Sequence, residues 1–299
     1  MIYPQLNMRH CIISCVLLKG SSVMALMKSK TPKVYKNKKL NNANFSNYNL
    51  NDYQAFLQLI SKVGGVDEGG KYLQPENLQR IYILTAKEFS QQFNLELDSV
   101  YTVLKRIAKK LTETSITVEK PDLFETWHLS LCSYSEYNHK EGRLTIEFTE
   151  RIMPYLAQVK KRFVLYNLKE IANFGSLYTT RLYELIQEFK DTGYIIKSID
   201  ELRKIFAIST QYKFYADFKR YTFVHAVTEI NSQFDMNLSF EEIKQGRKVV
   251  AIKFNFNRTI VISGVDKTGQ PKNTYLKPKK RVVDLKHPQK ILTQSELEL

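Results

Sequence analysis

Two capping boxes, each opening a short helix that leads into a second helix and then into alternating strands, predict an α+β fold. The expected architecture is two tandem winged-helix units, each a helix-turn-helix plus a β-hairpin wing, between flexible basic termini. The later box is Ser198-Ile199-Asp200-Glu201, where the serine hydroxyl and the glutamate carboxylate satisfy the free amides of a new helix. Leu202, Ile205 and Phe206 give that helix one apolar face, and Thr210-Gln211 interrupts it. Lys213 to Phe234 follows as a longer helix in which Phe223, Ala226, Val227 and Ile230 recur at helical spacing. Its first turns mix Lys213, Phe214, Tyr215, Lys219 and Arg220 with no clean apolar face, so this end projects while the far end is anchored. Asn237 to Phe240 and Val249 to Phe256 then flank Lys244-Gln245-Gly246-Arg247-Lys248, a basic-tipped hairpin.

The same grammar occurs earlier in the chain. Thr85-Ala86-Lys87-Glu88 opens Phe89 to Phe93, and when TAKEFSQQFNL is set beside SIDELRKIFAI the capping pair, the apolar position after it and the central Phe coincide. Asp98 to Thr112 is predicted as a helix with Val100, Val103, Leu104, Ile107 and Leu111 on its core face and Tyr101, Lys105, Arg106 and Lys109 on the other. Thr126 to Leu131 and Arg143 to Phe148 are expected to pair as a hairpin around Asn138 to Gly142. Before each box comes a helix, on Tyr53, Phe56, Leu57, Ile60 and Val63 in one half and Tyr178, Leu182, Leu185, Ile186 and Phe189 in the other. A strand follows each, Arg80 to Leu84 and Tyr194 to Ile196. Each half therefore reads helix, strand, helix, helix, hairpin, with Met153 to Arg162 as a helical connector.

The expected domains are a disordered basic arm over 1–48, a first winged helix over 49–150, a second over 151–257 and a flexible basic tail over 258–299. A short apolar run after Arg9 is too brief for a transmembrane span. Met24 and Met27 stand just ahead of the Lys/Asn-rich stretch, so the first two dozen residues read as an upstream extension. A fragment from about Tyr155 to Asn257 is expected to fold by itself.

The 299 residues carry 45 Lys+Arg against 30 Asp+Glu, a formal +15, and a field of that size suits a phosphate polyanion. Nucleic acid is the expected partner. Cys11, Cys15 and Cys132 are too few and wrongly spaced for a disulfide framework or a zinc site, which makes a reducing cytoplasm the expected compartment. Gly65 to Tyr72 approaches a phosphate-binding loop but ends on Tyr and follows a helix. No catalytic residue, metal or cofactor is expected, since His10, His128, His139, His225 and His287 form no His-x-His pair and no paired carboxylates stand in a metal-binding context. The residues expected at DNA are Lys105, Arg106 and Lys109 on the first second helix, Lys213, Tyr215, Lys219 and Arg220 on its counterpart, and Lys244, Arg247 and Lys248 at the wing tip.

Leu182-Tyr183-Glu184-Leu185, Asp200-Glu201-Leu202-Arg203, Asp217-Phe218-Lys219, Glu229-Ile230-Asn231 and Gly246-Arg247-Lys248-Val249, in that order and spacing, resemble the iteron-binding plasmid replication initiator (Rep) family of bacteria over roughly 49–257. The resemblance implies a tandem pair of winged helices that binds repeated origin sequences in double-stranded DNA as a monomer. It also implies repression of its own gene as a homodimer and recruitment of the host initiator, helicase and chaperones. In that family the second winged helix gives the main base readout, which would fall on Lys213, Lys219 and Arg220, while the first mixes DNA contact with dimerisation. Thr222 departs from the pattern, standing where the helix favours an apolar residue. The competing class is a winged-helix transcription regulator or partition protein without a replication role, and an origin with direct repeats beside the gene would separate the two. A nicking enzyme would need metal-dependent cleavage of origin DNA.

Overall fold

Helix α1, Leu50–Val63, is buried around nearly its whole circumference from Asp52 to Ile60, and the first half of the chain is packed about it. It starts on a reciprocal pair of bonds, the Asn49 amide donating to Asp52 Oδ2 at 3.1 Å and the Asp52 amide to Asn49 Oδ1 at 2.9 Å. The computed structural model describes residues 33–37, 40, 43, 45–63, 74–120, 123–156, 163–208, 210–265 and 271–276, all within one unit, Pro32–Leu299.

Two strands, β1 (Lys33–Asn37) and β2 (Ile81–Thr85), flank α1 in the chain, and β2 runs into α2 (Ala86–Phe93) through the Thr85–Glu88 capping box, which is formed in full. After Asn94, left-handed at φ 51°, α3 (Leu97–Glu113) buries Val100, Val103, Leu104, Ile107 and Leu111 as the spacing requires. The strands that follow differ from expectation. β3 (Ser115–Lys120) pairs with β4 (Glu125–Ser130), and β5 (Cys132–Asn138) pairs with β6 (Arg143–Phe148) in a sheet of order β2-β6-β5. Thr126 to Leu131 is therefore not the partner of Arg143 to Phe148. The chain turns at Leu131, whose amide donates to Thr114 O, and the wing strand β5 was hidden because CSYSEYN is mostly polar and has no apolar alternation.

A short 3-10 turn, Glu150–Ile152, and α4 (Met153–Leu156) are the described part of the expected connector, which then gives way to strand β7 (Phe163–Asn167) and α5 (Leu168–Ile171). β7 pairs antiparallel with β1. The stretch expected as the end of a disordered arm is thus structured from Lys33, with Val34, Leu40, Ala43, Phe45 and Tyr48 buried. Phe45 packs its ring 5.0 Å from those of Tyr48, Tyr53 and Phe56. Lysine and asparagine dominate the composition there, but a few widely spaced apolar side chains fix the segment to α1.

The second half repeats the first with α6 (Leu177–Glu188), β8 (Tyr194–Ser198), α7 (Ile199–Ile205), α8 (Tyr215–Lys219) and α9 (His225–Gln233), then β9 (Ser239–Gln245) and β10 (Lys248–Asn255) in a sheet of order β8-β10-β9. The Ser198–Glu201 capping box is formed in full. Phe218, Phe223 and Phe254 are buried, with the half-buried Phe240 packed beside them; the Phe223 ring lies 5.0 Å from Phe240 and 5.9 Å from Phe254. In the first half Phe148 is buried and Trp127 is half-buried. The fold is two tandem winged helices. Beyond them, part of the tail expected to lack structure forms an antiparallel hairpin of β11 (Arg258–Val265) and β12 (Pro271–Leu276), although the sequence there is punctuated by Gly264, Gly269 and Pro271.

A buried polar cluster joins the two halves. The Tyr53 hydroxyl donates to Glu184 Oε2 at 2.6 Å, the Tyr166 hydroxyl to Glu184 Oε1 at 2.5 Å, and Arg181 donates to the Tyr53 hydroxyl at 2.6 Å and to the Ile205 carbonyl at 2.9 Å. Burial raises both tyrosine hydroxyls well above their ordinary range, so each keeps its proton as a donor.

Candidate nucleic-acid interface

The second helix of the later helix-turn-helix is not a plain α-helix. Between α8 and α9, Arg220–Val224 forms a π turn, which inserts an extra residue and buries both Thr222 and Phe223. Thr222 is tolerated there because its hydroxyl donates to the Phe218 carbonyl at 2.5 Å. The wider turn explains the departure seen in the sequence and displaces the exposed residues before it relative to the anchored end.

The turn that presents this helix is held by Arg203, whose guanidinium donates to the carbonyls of Gln211 and Tyr212 and lies 4.6 Å from the centre of the Phe218 ring. Lys213 is exposed, and Phe214, which precedes α8, is 76% exposed. Arg220 is also exposed, its guanidinium 5.4 Å from the Tyr221 ring, which in turn stacks on Tyr212. Lys219 and Tyr215 point to the wing instead, where both donate to Glu242 Oε1, at 2.7 and 2.8 Å. At the wing tip Lys244, Arg247 and Lys248 are exposed around Gly246, whose φ of 61° suits the tight turn. Lys213, Arg220, Arg247 and Lys248 thus stand open on one winged helix, whereas Tyr215 and Lys219 are engaged by a carboxylate absent from the set read from the sequence.

On the first unit, Lys105 is exposed and Lys109 is exposed with Glu113 Oε1 at 3.7 Å. Arg106 faces α1, where its guanidinium holds Asp52 Oδ1 at 2.8 Å while Lys110 holds Oδ2 at 2.6 Å. The Asp52 side chain is wholly buried, so Arg106 serves to neutralise it. The wing here carries Lys140 and Arg143, and Gly142 at its tip sits against Tyr101 of α3.

The residues that carry the resemblance largely hold the fold. Glu184 sits in the buried cluster, Glu229 accepts from the Gly175 amide at 2.6 Å and from the Thr179 hydroxyl, and Asn231 bonds both the amide and the carbonyl of Leu238. Among the described residues no group of three or more His, Cys, Asp or Glu could hold a metal ion, and no helix is long and apolar enough to cross a membrane. The near phosphate-binding loop, Gly65 to Tyr72, lies outside the described residues.

Comparison with known proteins decides the family. Residues 33–187 match the family described as Initiator Replication protein, WH1, and residues 198–256 match Initiator Rep protein, WH2. The chain belongs to the initiator replication proteins. Within this initiator family it is 24% identical over 225 residues to a replication initiation protein of Escherichia coli, covering 72% of this chain and 67% of that one. It is 25% identical over 217 residues to the PI protein of Escherichia coli, covering 61% and 71%. The solved structure of Pi initiator protein in complex with iteron DNA shares its fold, with a TM-score of 0.59 at 23% identity over 76% of this chain and 97% of that chain. The first of these family segments begins at β1 and runs on through β7 and most of α6, and the second takes in α7, α8, α9 and the wing strands β9 and β10.

Proposed function

We propose that this initiator binds directly repeated origin sequences of a plasmid, iterons, in double-stranded DNA and starts replication there by binding and remodelling without covalent chemistry. The observation that carries the reading is the exposed cationic and aromatic end of the second recognition helix, with Lys213 and Arg220 beside the basic wing tip of Lys244, Arg247 and Lys248. A helix end of this kind enters a major groove, while a basic hairpin tip follows the neighbouring phosphates. The related Pi protein, solved with iteron DNA, supports the choice of ligand. The first winged helix adds Lys105 and Lys109 to the DNA contact and supplies the surface for a homodimer that represses its own gene. Several monomers loaded on adjacent repeats open the strands and recruit the host initiator, helicase and chaperones.

The test is a titration of the full chain on a duplex it selects from a random library and on a scrambled duplex, at several salt concentrations. Selection of a repeated element, a preference of about 10³-fold or more and a steep salt slope are expected. Equal affinity for both duplexes would remove the reading.

A further inference from the structure

We infer that Glu242 is a specificity-determining positioning residue, which fixes Lys219 and Tyr215 in one arrangement and withholds the lysine charge from DNA of the wrong sequence. The inference rests on the DNA-binding reading above and adds to it. Strand pairing sets Glu242 of β9 opposite Ile252 of β10, on the wing beside the recognition helix. Its Oε1 accepts from both Lys219 Nζ at 2.7 Å and the Tyr215 hydroxyl at 2.8 Å, while Oε2 stands 3.6 Å from Lys244 Nζ. One carboxylate thus ties three groups of the candidate interface together, and the Phe240 ring lies 5.4 Å from the same lysine nitrogen.

The chemistry of the three groups gives each a defined role. Tyr215 commits its only proton to Glu242, so it presents lone pairs alone and can accept from an exocyclic amino group of adenine or cytosine. Hydrogen bonds from Lys219 and then Tyr215 hold Glu242 below its ordinary range, and burial followed by the Glu242 bond raises Tyr215, so the charged acceptor and the neutral donor both persist. Lys219 has two ammonium protons left and can donate to the acceptors of guanine without leaving Glu242. A backbone phosphate, in contrast, gains the full lysine charge only by displacing the carboxylate, which it also repels. Nonspecific binding runs on cations facing phosphates, so Glu242 weakens it preferentially.

The experiment uses the full chain on its library-selected duplex and a scrambled duplex across a salt series, comparing the wild type with Glu242→Gln, Glu242→Asp and Tyr215→Phe after thermal unfolding has shown each to be folded. Glu242→Gln is expected to bind scrambled DNA about tenfold more tightly, with a salt slope steeper by about one unit, and to lose about tenfold or more of its discrimination. Tyr215→Phe should lose discrimination with its salt slope unchanged, and Glu242→Asp, which keeps the charge, should keep the wild-type slope. If the wild type discriminates but folded Glu242→Gln and Tyr215→Phe do so equally well with unchanged salt slopes, the role of Glu242 is overturned and the DNA-binding reading stands. If the wild type itself does not discriminate, it is the DNA-binding reading that falls.

Discussion

Arg220 and Lys219 are neighbours in the sequence, but they differ in what they have left to offer DNA. Arg220 is exposed beside Tyr221, so Arg220→Ala should cost about 1–3 kcal/mol on the selected duplex and relax discrimination at one base position, as competition titrations with single-base variants would register. Lys248→Ala at the wing tip should weaken binding to all sequences alike and lower the salt slope by about one unit. Exposure of Lys213, Arg220, Arg247 and Lys248 was legible in the sequence, because a basic residue off the apolar stripe faces solvent. The engagement of Arg106 by Asp52 was not, since the partners come from helices far apart in the chain. The capping boxes were legible because both members lie within four residues, and they carry a pH prediction. Burial alone would raise Glu201, but bonds from the Ser198 amide and Lys197 bring it below its ordinary value of about 4.5. Its folded value is the lower one, so its contribution is complete above the unfolded value and is lost as pH falls through the folded value. Glu201→Gln should therefore destabilise by about 1 kcal/mol near neutrality, and the gap to the wild type should close as pH falls from the ordinary carboxylate value through the lower folded one, as chemical denaturation at a series of pH values would record.

At the level of elements, periodicity revealed the helices and could not choose strand partners. Val100 to Leu111 repeats at helical spacing and is buried as that spacing requires, whereas β4 and β6 each alternate correctly and still pair with strands other than each other. The missing partner β5 is a polar edge strand, and pairing along an edge is made by backbone groups that leave no trace in side-chain type. The π turn was equally silent except through Thr222, the one residue that broke the stripe. The two wing tips allow a paired test of how firmly each wing is seated. Gly142 and Gly246 are both left-handed, at φ 56° and 61°, but a Cβ on Gly142 would stand 2.6 Å from the Tyr101 ring while one on Gly246 would meet open space. Gly246→Ala should cost about 1 kcal/mol from backbone strain alone, and Gly142→Ala about 2–3 kcal/mol because Tyr101 must also move. Urea denaturation of both variants checks the ordering, and equal losses would mean that the first wing is not seated on α3.

Across the whole molecule, the division expected near residue 150 does not follow the bonding. β7 lies beyond that boundary and pairs with β1, and the Glu184 carboxylate of α6 takes hydrogen bonds from Tyr53 of α1 and from Tyr166. Such a cluster was not legible because its members, Tyr53, Tyr166, Arg181 and Glu184, are distant in the sequence and look individually like ordinary helix or strand residues. Arg181 and Glu184 stand 3.4 Å apart and are each about 1% exposed, so removing either member breaks a buried pair. Glu184→Gln should cost about 3–5 kcal/mol, the usual consequence of breaking a buried pair. Arg181 of the cluster also holds the Ile205 carbonyl at the end of α7, so the loss should reach both winged helices. Trp127 is the single tryptophan and lies on β4, which makes its fluorescence a local probe of the first winged helix at a strand away from α6. In the wild type the tryptophan signal and far-ultraviolet circular dichroism should lose structure at the same urea concentration. In Glu184→Gln both midpoints should fall together, and a fragment from about Tyr155 to Asn257, deprived of Tyr53 and β1, should unfold at much lower urea than the full chain. A tryptophan midpoint that stays at its wild-type value while the helical signal shifts would show that the halves fold independently and that the buried cluster does not couple them.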